Sequence, residues 1–337
     1  MGTTNALTRL LAERDWILAD GATGTQLFNM GLSAGDAPEL WNADHPERIH
    51  KLYSDAVNAG SDLFLTNTFG GNASRMKLHD SQDRVFELNR LGAEIGREVA
   101  DASGRTIVVA GSMGPTGDIM VPMGTLTYET AVEMFHEQAE GLKAGGADVL
   151  WSETISAPEE LKAASEAAKL ADMPWCGTMS FDTAGRTMMG VTSADLTKLV
   201  GRLPQTPVAF GANCGVGSSD QLRTVLGFKG TDIPIASKGN AGIPKYQEGS
   251  ILYDGTPELM AEYACLARDA GAAIIGGCCG TTPVHLRAMR TALETRPRGE
   301  RPTLEQVSQK LGGFSSESDG TDGAGPAARV TRRRARA

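Results

Sequence analysis

Ala272-Ala273-Ile274-Ile275-Gly276-Gly277-Cys278-Cys279-Gly280-Thr281-Thr282-Pro283 is the stretch on which the fold turns. A short apolar run ends in two glycines, two adjacent thiols follow, and a helix is expected to begin at Thr282-Pro283, because threonine caps a helix and proline is tolerated in its first turn. The segment predicts a strand over 272–278 that passes directly into a helix, the place where a parallel α/β protein keeps its chemistry.

Outward from this stretch the same unit recurs along the chain. Apolar runs punctuated by glycine predict further strands over 16–22, 62–69, 106–113, 148–154, 174–181, 207–214 and 233–238. Segments of helical period rich in Ala, Glu, Leu and Lys lie between them, over 47–59, 83–102, 127–144, 157–170 and 257–270. Eight strands alternating with helices predict an α/β fold, a closed (β/α)8 TIM barrel. The rival, an open doubly wound sheet, expects Gly-x-Gly-x-x-Gly after its first strand, and Asp20-Gly21-Ala22-Thr23-Gly24-Thr25 does not supply it. Residues 1–300 are expected to form the barrel. Residues 301–337, poor in apolar side chains and rich in Ser, Gly, Asp and Ala toward their end, are expected to be a disordered tail.

In such a barrel the active site lies at the C-terminal ends of the strands. Those ends read Asp20-Gly21, Thr66-Asn67-Thr68-Phe69, Gly114-Pro115-Thr116-Gly117, Glu153-Thr154, Asp182, Asn213-Cys214, Asn240-Ala241-Gly242 and Cys278-Cys279. Cys214, Cys278 and Cys279 would meet at one mouth. Three thiolates with a fourth position open suit a catalytic zinc better than a structural one, whose four places are filled by protein. Buried free thiols give the same spacing, since unpaired cysteine is among the most buried residue types. Asp20 reads equally as a turn residue before Gly21, Glu153 as a charge paired across the barrel, and Asn240 as a turn asparagine. His45, His50, His79, His136 and His285 stand at no strand end and read as surface or helix-cap residues. Cys176 and Cys265 read as core thiols.

The chain has 337 residues, 41 of them glycine, and a formal net charge of −9, which gives no footprint for nucleic acid. Its few clustered basic residues, 331–337, read as a solvated end. No stretch reaches the 18 or so apolar residues of a membrane span, and the opening residues lack a secretory pattern. Five cysteines, an odd number, argue for a reducing compartment, so a cytoplasmic protein is expected.

Asp20–Thr25, Thr66-Asn67-Thr68-Phe69-Gly70, Gly114–Gly117, Glu153-Thr154, Asn213-Cys214 and Gly276-Gly277-Cys278-Cys279-Gly280-Thr281-Thr282-Pro283 together resemble the zinc-dependent homocysteine S-methyltransferase family, over about residues 15–295. The resemblance implies that Cys214, Cys278 and Cys279 hold Zn2+ and that homocysteine meets the open position through sulfur. It places Asp20 and Glu153 near the substrate ammonium, Gly21 and Thr66 near the rest of the substrate, Phe69 over its apolar stem, and Asn240 near the metal when substrate is absent. The product would be methionine.

Family members differ in their methyl donor. Betaine, whose charge offers no hydrogen bond, calls for an aromatic cage, and the positions matching that cage are Ala37, Gly70 and Thr154, with Trp41 one helical turn away as a substitute. The Thr66–Gly70, Gly114–Gly117 and Asn240–Pro244 motifs resemble instead the homocysteine module of cobalamin-dependent members. The favoured reading is therefore methylcobalamin on a separate corrinoid-binding protein, with a folate-binding protein to recharge it. The alternatives are direct use of betaine and, more remotely, a metal-free thiol-rich barrel acting as a binding or regulatory protein.

Overall fold

The structure, a computed structural model, describes residues 5–243, 245–247 and 250–318. Eight parallel strands form one sheet: β1 (Ile17–Leu18), β2 (Leu63–Leu65), β3 (Val108–Met113), β4 (Val149–Ile155), β5 (Trp175–Met179), β6 (Ala209–Cys214), β7 (Ile235–Gly239) and, after an antiparallel hairpin of β8 (Lys245–Gln247) and β9 (Ser250–Leu252), β10 (Ala272–Gly277). Their order is β1-β10-β7-β6-β5-β4-β3-β2. A bridge between Ala19 and Leu63, with Asp62 N–H donating to Leu18 O at 2.7 Å, closes the ring. The eight-stranded barrel read from the sequence is the fold observed.

Strand side chains alternate between two environments, as a period of two requires. Ile17, Leu63, Leu65, Val108, Ala110, Val149, Trp151, Cys176, Ala209, Ala236 and Ile274 point inward and share one core, which Leu7 and Leu10 of the helix Ala6–Glu13 plug from below. Residues between them, such as Leu150, Trp175, Phe210 and Ile275, face the surrounding helices. Cys176 is a core thiol as expected, and Cys265 is buried beneath its helix.

Three expectations are corrected. The first two strands are shorter than read, because side chains replace the ladder at their ends: Leu65 N–H donates to Asp20 Oδ2 (2.9 Å) and Asn67 N–H to the Tyr53 hydroxyl (2.6 Å). The hairpin at 245–252 breaks the simple alternation between β7 and the helix Pro257–Ala270. Order also continues past residue 300: Thr303 caps a helix over Leu304–Leu311 whose Val307 and Leu311 join the core, and Arg223 and Asp220 hold the strap that follows through Ser316 O (2.7 Å) and Ser315 N–H (3.0 Å). The last part of the expected tail, 319–337, lies outside the described residues. No helix among the described residues is long and apolar enough to cross a membrane.

Candidate active site

The sulfurs of Cys214, Cys278 and Cys279 lie within 4.8 Å of one another at the mouth of the barrel. Cys214 ends β6 with φ of 64°, and Thr154 near the end of β4 has φ of 59°. Left-handed backbone is costly for residues with a Cβ and is kept where the surroundings over-determine it. Here the strand ends curl inward and aim side chains at the mouth. Across β7, Cys278 N–H donates to Gly239 O (2.8 Å) and Ala241 N–H to Cys279 O (3.0 Å), which fixes the double-cysteine turn. Gly280 has φ of 78°, and a Cβ there would sit 2.4 Å from Tyr253. Glycine is therefore required for Tyr253 to reach over the turn and hydrogen-bond Cys279.

Hydrogen bonding among the three thiols, with burial, favours their protonated forms. Contact with Cys278 is the largest influence that pushes Cys214 up to about 12, and contact with Cys214 the largest that pushes Cys279 up to about 11. Three protonated, converging sulfurs with few other partners form a pocket whose natural complement is a thiophilic cation. Asn240 adds to this: its Nδ2 donates to Gly215 O (2.8 Å) and lies 3.8 Å from Cys214 Sγ, while its buried Oδ1 has no partner among the described residues.

A cavity of about 390 Å3 opens from the thiols. Gly21, Thr66, Phe69, Glu153 and the three cysteines line it, so most of the residues singled out from the sequence meet there. Glu153 accepts from Ser112 Oγ (2.6 Å) and, at 3.4 Å, from Asn213 Nδ2. Burial pushes its carboxyl up, and Lys238 and the Ser112 hydroxyl partly offset that. Gly21 packs its backbone against Thr281, whose carbonyl would lie 2.7 Å from any Cβ. The Thr66 hydroxyl accepts from Ser112 N–H (3.0 Å) and lies 2.6 Å from Thr68 Oγ1, which itself donates to Ser112 O (2.7 Å). Its proton is thus consumed by Thr68, and Thr66 presents wall to the cavity rather than a donor.

Asp20 lies behind the cavity wall. It does not line the cavity: its Oδ1 is ion-paired with Lys238 Nζ at 2.5 Å and its Oδ2 takes the Leu65 amide. Two of its acceptor positions are thus taken by the protein itself. Lys238, a buried lysine on β7, is what sequence reading passed over, although a lysine closing the run Ile235-Ala236-Ser237-Lys238 was a visible signal. Burial acts to lower its pKa, but Asp20, Glu153 and Cys278 outweigh it and hold Lys238 above the ordinary lysine value. Asn213 was also passed over. Its Oδ1 accepts from Thr154 N–H (2.8 Å) and Thr178 Oγ1 (2.7 Å), and its Nδ2 reaches Thr154 Oγ1 (2.8 Å), tying β4 to β6 beside Cys278.

The opposite wall comes from loops after β1 and β2. It includes Ala37, Pro38, Glu39, Gly70, Arg75, Leu78 and His79, so His79, read as a surface residue, borders the cavity. Glu39 is 4% exposed and accepts from Gly70 N–H (2.6 Å). Phe69 is the one aromatic side chain in the described lining. Trp41 is turned away into a cluster with His45 and Arg48, its ring 4.5 Å from the Arg48 guanidinium.

The fold and this mouth define a class: a (β/α)8 barrel enzyme whose centre is three converging thiols beside a buried carboxylate. Residues 17–293 match the family model for homocysteine S-methyltransferase, and the chain belongs to that family of methyltransferases. It is 32% identical over 305 residues to methionine synthase of Mycobacterium tuberculosis, covering 85% of this chain and 25% of that protein, and 32% identical over 319 residues to methionine synthase of Mycobacterium leprae, covering 88% and 26%. The chain thus spans about a quarter of the length of these relatives. Among solved structures, the metallated form of the Escherichia coli homocysteine methyltransferase MmuM superposes with a TM-score of 0.70 at 25% identity, over 85% of this chain and 99% of that one.

Proposed function

We propose that this chain transfers a methyl group to the sulfur of homocysteine, forming methionine, with zinc held by Cys214, Cys278 and Cys279 and the methyl supplied by methylcobalamin on a separate corrinoid protein. The observation that carries the reading is the convergence of three thiols within 4.8 Å beside Glu153, at the end of a cavity of about 390 Å3.

The donor set suits zinc: three soft ligands, no fourth cysteine or histidine among them, and Asn240 beside them, its Nδ2 3.8 Å from Cys214 Sγ and its buried Oδ1 without a partner among the described residues. When bound, zinc supplies a Lewis acid that keeps a substrate thiol deprotonated and nucleophilic at neutral pH. The protein does the rest. Glu153, steadied by Ser112 and Asn213, meets the substrate ammonium, Gly21 and Thr66 shape the wall along the substrate, and Phe69 covers its apolar stem. So held, the sulfur gives an electron pair to the methyl carbon, and the bond from that carbon to the donor breaks with its pair left on the donor.

The donor reading rests on the far wall. Ala37, Gly70 and Thr154 do line the cavity, as positions matching an aromatic cage should, and none is aromatic. Trp41 is held elsewhere and does not replace them. Betaine therefore forfeits a cation–π contribution of about 2 kcal/mol when desolvated. Loops around the mouth expose Leu78, Ile119, Met123 and Met188, an apolar rim that suits a large docked donor. The methionine synthases at 32% identity also support methionine as product. All five cysteines are free, which supports a cytoplasmic location.

The test is methionine formation from homocysteine with methylcobalamin or betaine at matched saturation. Methylcobalamin is expected to be clearly faster. Efficient betaine turnover abolished by Trp41→Ala would overturn the donor reading, and methionine from neither donor would count against the methionine-synthase reading as a whole.

A further inference from the structure

Lys238 has no place in the chemistry described so far, yet it is the best-placed cation in the molecule. Its side chain is 3% exposed, it lines the cavity, and its ammonium spends one N–H on Asp20 Oδ1 at 2.5 Å. An ammonium has three N–H donors, and no second acceptor of this one is found among the described residues. β7 runs between the two strands that deliver the thiols: Gly239 pairs with Cys214 on one side and with Gly277 on the other, and Lys238 pairs with Asn213 and Gly276. Lys238 therefore lies one residue below the thiol layer, between Cys214 and Cys278. Glu153 is electrostatically coupled to it without forming an ion pair.

The thiols fix where a substrate sulfur would lie. In homocysteine two methylenes separate the sulfur from the carbon that carries both the ammonium and the carboxylate, so the charged head lies about 4–5 Å away. A zwitterionic head needs a carboxylate and a cation side by side. Glu153 supplies the first and Lys238 the second, at the depth the short stem reaches. Arg75 and His79, the other basic side chains of the lining, come from the loop after β2 on the opposite wall.

We infer that Lys238 binds the carboxylate of the amino-acid substrate and determines specificity for it, with Asp20 as the residue that positions Lys238. This rests on homocysteine being the acceptor. It gives Asp20 a function its geometry permits: by taking one N–H of Lys238 and the Leu65 amide, it locks the lysine to the junction of β1 and β2 with the remaining donors toward the cavity.

The test compares homocysteine with 3-aminopropane-1-thiol, the same molecule without its carboxylate, by calorimetric binding to the zinc-loaded full chain. The wild-type protein is expected to prefer homocysteine by about 10- to 100-fold, the range of one charge-assisted hydrogen bond. The double variant Asp20→Asn/Lys238→Met removes both charges of the pair, so that neither partner is left as a buried ion without the other. In it the preference should shrink to within about threefold, with affinity for the aminothiol and zinc content unchanged. A variant that keeps the wild-type preference would overturn the inference. So would a wild-type protein that binds both thiols equally, a result that needs no variant to fold. Binding of neither thiol to the wild-type protein would overturn the acceptor reading itself, and this assignment with it.

Discussion

The floor and the mouth of the barrel each hold a buried carboxylate among cations, and they use it in opposite ways. At the floor, Asp62 accepts four hydrogen bonds: Arg14 (2.9 Å) and Arg105 (3.3 Å) on Oδ1, and Leu18 N–H (3.0 Å) and Arg290 (2.8 Å) on Oδ2. A carboxylate has about four acceptor positions, so Asp62 is saturated by the protein itself and pins the first strand, the helix Pro283–Thr295 and the β2–β3 connection where the ring closes. At the mouth, Glu153 holds two contacts, Lys238 one, and the three thiols mainly each other. The difference lies in unspent bonding capacity. What the floor consumes internally to hold the fold, the mouth keeps for something that arrives.

Substitutions at the two ends should therefore fail in different ways. The largest effect is expected from Cys278→Ser, which replaces a thiolate by a poor ligand for a borderline-soft ion. Metal content should fall from about one to under about 0.1 per chain and methyl transfer by at least about 1000-fold, with the melting temperature of the metal-free protein little changed. Full metal retention, measured by plasma emission, would break the contrast at the mouth. Next comes Asp62→Asn, which leaves three arginines around a neutral side chain. About 3 kcal/mol of stability should be lost in denaturant unfolding, while metal content and the KM for homocysteine stay as in the parent. A changed KM would show that floor and mouth are not independent.

Glu153→Gln should raise the KM for homocysteine by about 10- to 50-fold and lower turnover without loss of metal, because a charge-assisted bond to the ammonium is weakened. Unchanged steady-state kinetics would make Glu153 a structural residue like Asp62. The smallest effect is expected at Glu39, whose carboxyl is pushed up by burial, an effect the Gly70 amide only partly offsets. A folded-state pKa above the unfolded one means that its charge costs stability, a cost absent in acid and fully present once pH has risen through the raised value. Glu39→Gln should thus raise the melting temperature by about 1–3 °C at pH 7 and give no gain below the ordinary glutamate range. An equal gain at both pH values would show that shape and not charge is responsible.

Most of the barrel was legible in the sequence because its signals are local. Apolar runs punctuated by glycine recur eight times, most of the helices after them open with threonine or proline, and the strand ends carry the polar residues. Cys214, Cys278, Cys279 and Glu153 could be placed at one mouth on that pattern alone. What could not be read depends on contacts between distant segments. Asp20 and Lys238 are 218 residues apart, and only the closed ring makes them a pair. The second strand looked longer than it is because nothing local shows that Asp20 and Tyr53 take the amides of Leu65 and Asn67. The helix Leu304–Leu311 was hidden by the polar composition around it, since its core contribution rests on Val307 and Leu311. Tyr253 reaches Cys279 only through the hairpin β8–β9, which interrupts the strand-helix rhythm.

The central claim is that the mouth is a metal site with one place open for a substrate sulfur. Zinc-edge X-ray absorption on the freshly purified chain, before and after homocysteine is added, tests it most directly. The account predicts one zinc with three sulfur neighbours at about 2.3 Å and one lighter neighbour, changing to four sulfurs with homocysteine. A shell of four sulfurs before any substrate, a shell that homocysteine leaves unchanged, or a protein that binds no zinc at all would contradict it.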